Sequence, residues 1–154
     1  MSLPSNLRTG MTAQIPGARG FKKFPAESKR YPFATLRIVV NIPGKACQTN
    51  VRSHWAAKAK AIAKSRADAA DGTQRSLGAY APPKWVGVRV HVAWYVRTAR
   101  VMDEANIVAA IKGVQDGIAD ALGIDDRFFE SPTVSQHKDA DRPRVEITLS
   151  EIEL

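Results

Sequence analysis

Acidic side chains gather at the two ends of one amphipathic stretch, VMDEANIVAAIKGVQDGIADALGIDDRFF, which covers residues 101–129. Asp103 stands just before the apolar pattern, and Asp125 and Asp126 follow it. Carboxylate oxygens are natural ligands of Mg²⁺ and Mn²⁺, and such an ion can activate water and stabilise the charge that develops when a phosphodiester is cleaved. The stretch therefore contains a candidate metal site for phosphodiester hydrolysis.

A single helix is predicted between these acids. Apolar residues recur there at helical spacing, at Ile107, Ile111, Val114, Ile118, Ala121 and Leu122. Asp103 occupies a capping position, and Gly123 stands where helices commonly end. Asp103 could therefore meet Asp126 only if the exit loop or the following strand folds back beside the helix start, or if a partner subunit supplies one set of acids.

Each acid also has an ordinary structural explanation. A helix cap is sufficient to explain Asp103. Lys112 and Asp116 are four residues apart, which suits a surface ion pair worth roughly a few tenths of a kcal/mol. Two aspartates after a helix, as at Asp125 and Asp126, are a common turn composition. Only the joint pattern favours a metal site over these explanations.

The rest of the chain predicts an α/β (α+β) fold in which a small mixed sheet carries the helices. Its elements, in the order β-α-β-α-β-β, are strands at Ala34–Ile42, Trp85–Arg97, Pro132–Gln136 and Arg144–Glu151 and a first helix from Val51 to about Ala70. This makes about four strands and two main helices. Residues 71–83 are predicted to form a long polar loop, and residues 1–30 a flexible basic arm outside a domain of residues 31–154.

The charge balance favours a polyanionic partner. The 154 residues carry 23 Lys and Arg against 15 Asp and Glu, a formal charge of +8. Nucleic acid leads the candidates, and a membrane is disfavoured because no apolar run approaches the roughly 20 residues of a spanning helix. The single cysteine, Cys47, excludes an internal disulfide and fits a reducing, cytoplasmic compartment.

Basic residues on the first helix and after the second strand are the predicted contacts to nucleic acid. They are Lys58, Lys60, Lys64, Arg66, Arg97 and Arg100. Along the same helix an apolar face at helical spacing predicts the buried side, made of Trp55, Ala59, Ile62, Ala63 and Ala70. A basic helix face is often merely solvated, so the interpretation depends on the positive charge of the whole chain.

The acids and bases of residues 97–129 together resemble the RusA family of Holliday-junction resolvases. In that family an Asp, any residue, a second Asp and an Asn open a helix, a Lys follows six residues after the Asn, and an acidic pair follows the helix. Asp103 and Asn106 have this separation, and Lys112 stands six residues beyond Asn106. The family also frequently has an Asp-Gly pair at this position of the helix, which Asp116-Gly117 resembles. The acidic pair after the helix is Asp125-Asp126.

The resemblance implies a RusA-like fold and a bacterial or phage-encoded homodimer that binds four-way DNA junctions and nicks opposed strands with a divalent metal, Mg²⁺ or Mn²⁺. It implies Asp103 and Asp126 as the leading metal ligands, with Asp125 as their neighbour. By the same resemblance Lys112 is the cation that contacts the phosphate or takes part in catalysis.

One position departs from the family pattern. Ala105 occupies the place of the second Asp, and alanine cannot bind a metal. The adjacent Glu104 has a longer side chain that could reach the same ion, although it points about 100° away if that turn is already helical.

The leading hypothesis is a metal-dependent, structure-selective endodeoxyribonuclease that resolves Holliday junctions or other branched DNA in recombination or repair. Ala105 supports an alternative, a catalytically weakened or inactive RusA-like protein that binds DNA junctions. A third hypothesis is a basic RNA-binding domain, which is disfavoured because the strands lack an aromatic RNP-like signature.

Overall fold

The computed structural model describes residues 28–48, 52 and 54–153. Most of the predicted basic arm, residues 1–27, lies outside the described residues. The described chain begins with a short pairing between residues 29–31 and Ala81, in which Tyr31 N donates to Ala81 O at 2.8 Å and Ala81 N donates to Lys29 O at 2.9 Å. Residues 29 and 30 are therefore attached to the domain that was predicted to start at residue 31.

The fold class is confirmed as α+β with a mixed four-stranded sheet. In chain order the elements are β1 (Thr35–Val40), a 3-10 turn (Lys45–Cys47), α1 (Trp55–Leu77), β2 (Val88–Val96), α2 (Glu104–Ala110), α3 (Lys112–Leu122), a second 3-10 turn (Asp126–Phe128), β3 (Thr133–Lys138) and β4 (Arg144–Glu151). The strand order across the sheet is β1-β4-β2-β3. β4 runs antiparallel to both of its neighbours, and β2 and β3 are parallel.

One face of this sheet is buried because apolar residues alternate along its strands. β1, β2 and β4 contribute Leu36, Ile38, Val40, Val88, Val90, Val92, Trp94, Val145, Ile147 and Leu149, all of them buried. The helices cover this face. β4 has the predicted bounds, whereas β2 is shorter than predicted and covers Val88–Val96. Before it, Trp85 is buried and Val86 is exposed.

The loop predicted for residues 71–83 is wrong in its first half, since α1 continues to Leu77 and ends at Gly78, whose φ is 60°. Gly72 lies within the helix and faces β1. A Cβ at Gly72 would stand 3.3 Å from Ile38 Cγ2 and 3.4 Å from Val39 O. The glycine that indicated a loop in the sequence instead allows close packing of the helix on the sheet.

The predicted buried face of α1 is wrong at Trp55, which is 77% exposed, and at Ala59 and Ala63, which are exposed, whereas Ile62 packs against the core as predicted. The residues that α1 buries lie mainly in its second half, where it packs on β1: Ser65, Ala69, Gly72, Thr73 and Leu77. The Thr73 hydroxyl is compatible with this burial because it donates to Ala69 O at 2.7 Å.

The helix predicted from Asp103 to Gly123 is interrupted at Ile111, which has φ −89° and ψ 0° and separates α2 from α3. Its ends match the prediction: Asp103 caps α2, and Gly123 adopts the left-handed conformation with φ 67°. The predicted apolar stripe is buried, including Ile107 and Ile118. Among the described residues, no helix combines the length and apolar character needed to cross a membrane.

Candidate functional site

The ammonium group of Lys112 lies between two carboxylates. Lys112 Nζ donates to Asp116 Oδ1 and to Asp126 Oδ2, each at 3.1 Å. Asp116 is one turn further along α3, as predicted for an ion pair. Asp126 reaches Lys112 because the chain reverses at Gly123 and Asp125 then caps the second 3-10 turn by accepting from Arg127 N at 3.0 Å. The exit loop thus folds back along α3.

These contacts fix the charge state of both partners. The hydrogen bonds that Lys112 donates to Asp116 and then to Asp126 raise the pKa of Lys112, so its side chain is a cation at neutral pH. The hydrogen bond and charge of Lys112 lower the pKa of Asp126, so this carboxyl is fully ionised there. Both side chains are about half exposed, at 62% and 51%. Asp126 therefore presents an ionised oxygen to solvent.

Asp116 and Asp126 line a concavity of about 430 Å³ together with Arg66, Asp120 and Asp125. Lys112 does not line it but binds two of its acids, and we call the concavity together with Lys112 the Lys112 site. Arg66 binds Asp120 through two bonds, Nε to Oδ2 at 2.5 Å and NH2 to Oδ1 at 2.9 Å. The bidentate geometry holds the guanidinium of Arg66 against the protein.

Two glycines bring Arg66 beside these acids by letting α1 and α3 pack closely. A Cβ at Gly113 would stand 3.0 Å from Ile62 O, and a Cβ at Gly117 would overlap the backbone carbonyl of Arg66. Gly117 belongs to the Asp-Gly pair that carries part of the RusA resemblance. Here the glycine has a packing role, and the aspartate before it binds Lys112.

A second concavity, of about 480 Å³, contains Asp103. We call it the Lys45 cleft, lined by Lys45, Gln48, Thr98, Arg100, Asp103 and Asn106 together with Val96, Val101 and Met102. Asp103 Oδ1 accepts from Ala105 N at 3.1 Å, so the cap predicted for this residue is confirmed. The position of Asp103 is thereby fixed at the rim of this cleft.

Comparison with known proteins adds a bacterial relative. No family model matches the chain. A protein of Xylella fastidiosa (strain Temecula1 / ATCC 700964), which carries the name "Uncharacterized protein", is 32% identical over 111 residues, covering 71% of this chain and 72% of that protein. The chain belongs to the same family as this Xylella protein.

In the present chain, the predicted site residues fall into two groups. Lys112, Asp116, Asp125 and Asp126 come together in the Lys112 site, whereas Asp103 and Asn106 line the Lys45 cleft and Glu104 lines neither. The predicted meeting of Asp103 with Asp126 is therefore not seen within one chain. Within the described ranges, no three His, Cys, Asp or Glu side chains form a ready-made metal site.

The donor set of the Lys112 site nevertheless fits Mg²⁺ or Mn²⁺ chemically. Mg²⁺ usually keeps several waters and is bound by one or two carboxylates plus phosphate oxygens. Asp116 and Asp126 supply two such carboxylates, and a cation already lies between them.

The sequence prediction did not include Asp120, because its partner Arg66 is 54 residues away and only the α1–α3 contact joins them.

The residues predicted to bind nucleic acid also differ in how they are paired. Among the residues that the structure describes, Lys58, Lys60, Lys64, Arg97 and Arg100 have no carboxylate partner, and four of these five side chains are exposed. Arg66 differs, since Asp120 holds it.

Lys45, exposed at the rim of its cleft, was missed by the sequence prediction. Its only signal was a base directly after Pro43-Gly44, at the end of the first strand.

Proposed function

We propose that the protein is a metal-dependent endonuclease of the RusA type that acts on branched DNA as a homodimer. The observation that supports this most is the contact between Lys112 and Asp126. These residues are 14 positions apart in the sequence, they carry the basic and acidic parts of the RusA resemblance, and their side chains meet at 3.1 Å. The fold therefore brings the basic and acidic parts of the resemblance together at one point.

In this proposal Asp126 and Asp116 hold the divalent ion, with Asp125 as a neighbouring acid. The ion, when bound, supplies an activated water and a positive charge for the phosphate oxygens. In the proposal Lys112 donates an N–H bond to a phosphate oxygen beside the ion, and its raised pKa keeps it protonated for that task. Arg66 would stabilise the cluster of acids in this concavity by balancing the negative charge of Asp120.

The remaining bases hold the DNA in this proposal. Lys58, Lys60 and Lys64 follow one another along α1, and Arg97 and Arg100 stand between β2 and α2. Phosphate contacts of this kind set the position of the duplex without reading its sequence, which suits an enzyme that selects the branched shape. The formal charge of +8 is consistent with such binding.

A second candidate is a protein of the same type that binds junctions without cutting them. Two observations favour it. Ala105 removes one acid of the family pattern, and Asp103 lines a different concavity from Asp126. A protein built this way would keep its basic surface and lose the metal chemistry.

A nicking assay separates the two candidates. A labelled four-way junction is incubated with the protein and Mg²⁺ or Mn²⁺, beside the Asp126→Asn variant and a control, Asp141→Asn, which changes an exposed acid elsewhere. The nuclease predicts paired nicks that the first variant loses by about 100-fold or more and the control retains. Junction binding without nicks under either metal would reject the nuclease and support the binder. Cleavage gained in Ala105→Asp would locate the missing acid.

A further inference from the structure

On the basis of the proposed function, we infer that the Lys45 cleft binds a backbone phosphate of the DNA strand that enters the Lys112 site. Lys45 and Arg100 are its two cationic ligands. The cleft has room for a phosphodiester, with about 480 Å³ of space, and the amide of Gln48 and hydroxyl of Thr98 are among its lining groups beside Val96, Val101 and Met102. Neither cation was needed to explain the fold.

The position of Lys45 is set by the buried residues around it. The 3-10 turn of Lys45–Cys47 follows β1, and Cys47 at its end is 5% exposed and belongs to the hydrophobic core. Cys47 N donates to Gly44 O at 2.9 Å and closes the turn. Pro43 is buried as well. A lysine on such an anchored turn loses less backbone freedom on binding than one on a loose loop.

The other side of the cleft is anchored too. Gln136 on β3 binds Met102 twice, since Met102 N donates to Gln136 Oε1 and Gln136 Nε2 donates to Met102 O, both at 2.8 Å. This pair holds the connection between β2 and α2, and therefore the backbone near Arg100 and Asp103. The two cations are thus carried by segments that are fixed separately and face one space.

The charge of the cleft is what distinguishes it. Six cations of the described chain are bound by carboxylates: Arg37, Arg66, Arg89, Lys112, Arg127 and Arg144. Lys45 and Arg100 have no such partner among the described residues, and Asp103 is the single acid in their cleft. The side chains therefore leave a net charge of +1 there, and an anion would gain two charge-assisted contacts.

The experiment combines a salt titration with lysine footprinting on the full chain. Affinity for a four-way junction is measured over a range of salt concentrations for the unmodified protein, Lys45→Ala and a control, Lys84→Ala, which removes an exposed lysine outside the cleft. In parallel, lysines are acetylated with and without the junction and quantified by mass spectrometry. One lost phosphate contact should lower the log–log salt slope by roughly 0.9 in Lys45→Ala and leave the control unchanged.

The outcomes distinguish failure of the phosphate-binding inference for the Lys45 cleft from failure of the proposed nuclease function. A reduced slope for Lys45→Ala, with Lys45 protected from acetylation by the junction, supports the inference. Steep salt dependence in the unmodified protein with an unchanged slope in Lys45→Ala overturns it and leaves the nuclease proposal standing, whether or not Lys45 is protected. Flat salt dependence in the unmodified protein would reject both.

Discussion

The Lys112 site, along α3, and the Lys45 cleft, at the start of α2, both contain lysine, arginine and aspartate, but they differ in how these charges are paired. In the Lys112 site, the cations Lys112 and Arg66 are both bound by carboxylates. In the Lys45 cleft the cations outnumber the acids and lack partners among the described residues. A site that is rich in acids and whose lysine is ion-paired suits a metal ion, whereas cations without a carboxylate partner suit a phosphate. Pairing, more than residue type, therefore distinguishes the two regions.

The largest expected effect comes from removing the central cation of the Lys112 site. Lys112→Ala should lower junction cleavage by about 10²–10³-fold, because a positioned cation at the developing charge is lost. Junction affinity should change little, since most phosphate contacts lie elsewhere. The measurement is single-turnover cleavage beside a binding titration, with Lys84→Ala as the control. If cleavage is unchanged, Lys112 has no part in the chemistry.

Gly117→Ala tests whether the Lys112 site depends on helix packing in a way that the Lys45 cleft does not. The new methyl group would overlap the backbone carbonyl of Arg66, so α1 and α3 must separate. We expect the free energy of unfolding in urea to fall by about 1–3 kcal/mol. Gly44→Ala is the matched control, because its Cβ would meet Ala61 Cβ at an ordinary 3.9 Å. Equal stability of the two variants would contradict the close helix contact.

The pair of Arg66 and Asp120 should contribute less, because the side chain of Arg66 is 51% exposed and that of Asp120 31% exposed. A double-mutant cycle with Arg66→Ala and Asp120→Ala should give a coupling energy of about 0.2–1 kcal/mol in unfolding experiments, reduced by added salt. A coupling energy of zero at low salt would show that the bidentate contact does not hold the two helices together.

The smallest expected effect is a change in acid titration. Lys112 lowers the pKa of Asp126, so the stabilisation from their pair is complete above the ordinary Asp range and is lost as the pH falls through the lower folded value. In Lys112→Ala the Asp126 pKa should rise toward the ordinary Asp value, and the pH-dependent stabilisation from this pair should be absent. Carbon-detected NMR titration of the Asp126 carboxyl measures this. An unchanged pKa would mean that the Lys112 contact does not persist in solution.

The sequence predicted those parts of the fold that depend on local periodicity. The four strands were placed correctly in the chain, and the apolar stripe through Ile107 and Ile118 was correctly identified as a buried face. The end of α1, residues 71–77, was missed because Gly72 is a loop signal in isolation. It becomes a packing residue only beside β1, a contact between distant parts of the chain.

The candidate site shows the same division. The cap at Asp103 and the ion pair of Lys112 with Asp116 are local, and both were predicted. The contact of Arg66 with Asp120 was not, because it needs α1 and α3 to pack. That Asp103 and Asp126 line different concavities likewise follows from how the chain folds, which spacing alone does not determine.

Mapping a bound paramagnetic ion tests the central claim most directly, namely that the Lys112 site takes the metal. Mn²⁺ is titrated into isotope-labelled protein, and broadening of the backbone amide signals is followed by NMR. We predict that broadening is strongest around Asp116 and Asp126 and is abolished there by Asp126→Asn. Broadening centred on Asp103 and Asn106, or none at millimolar Mn²⁺, would contradict the account.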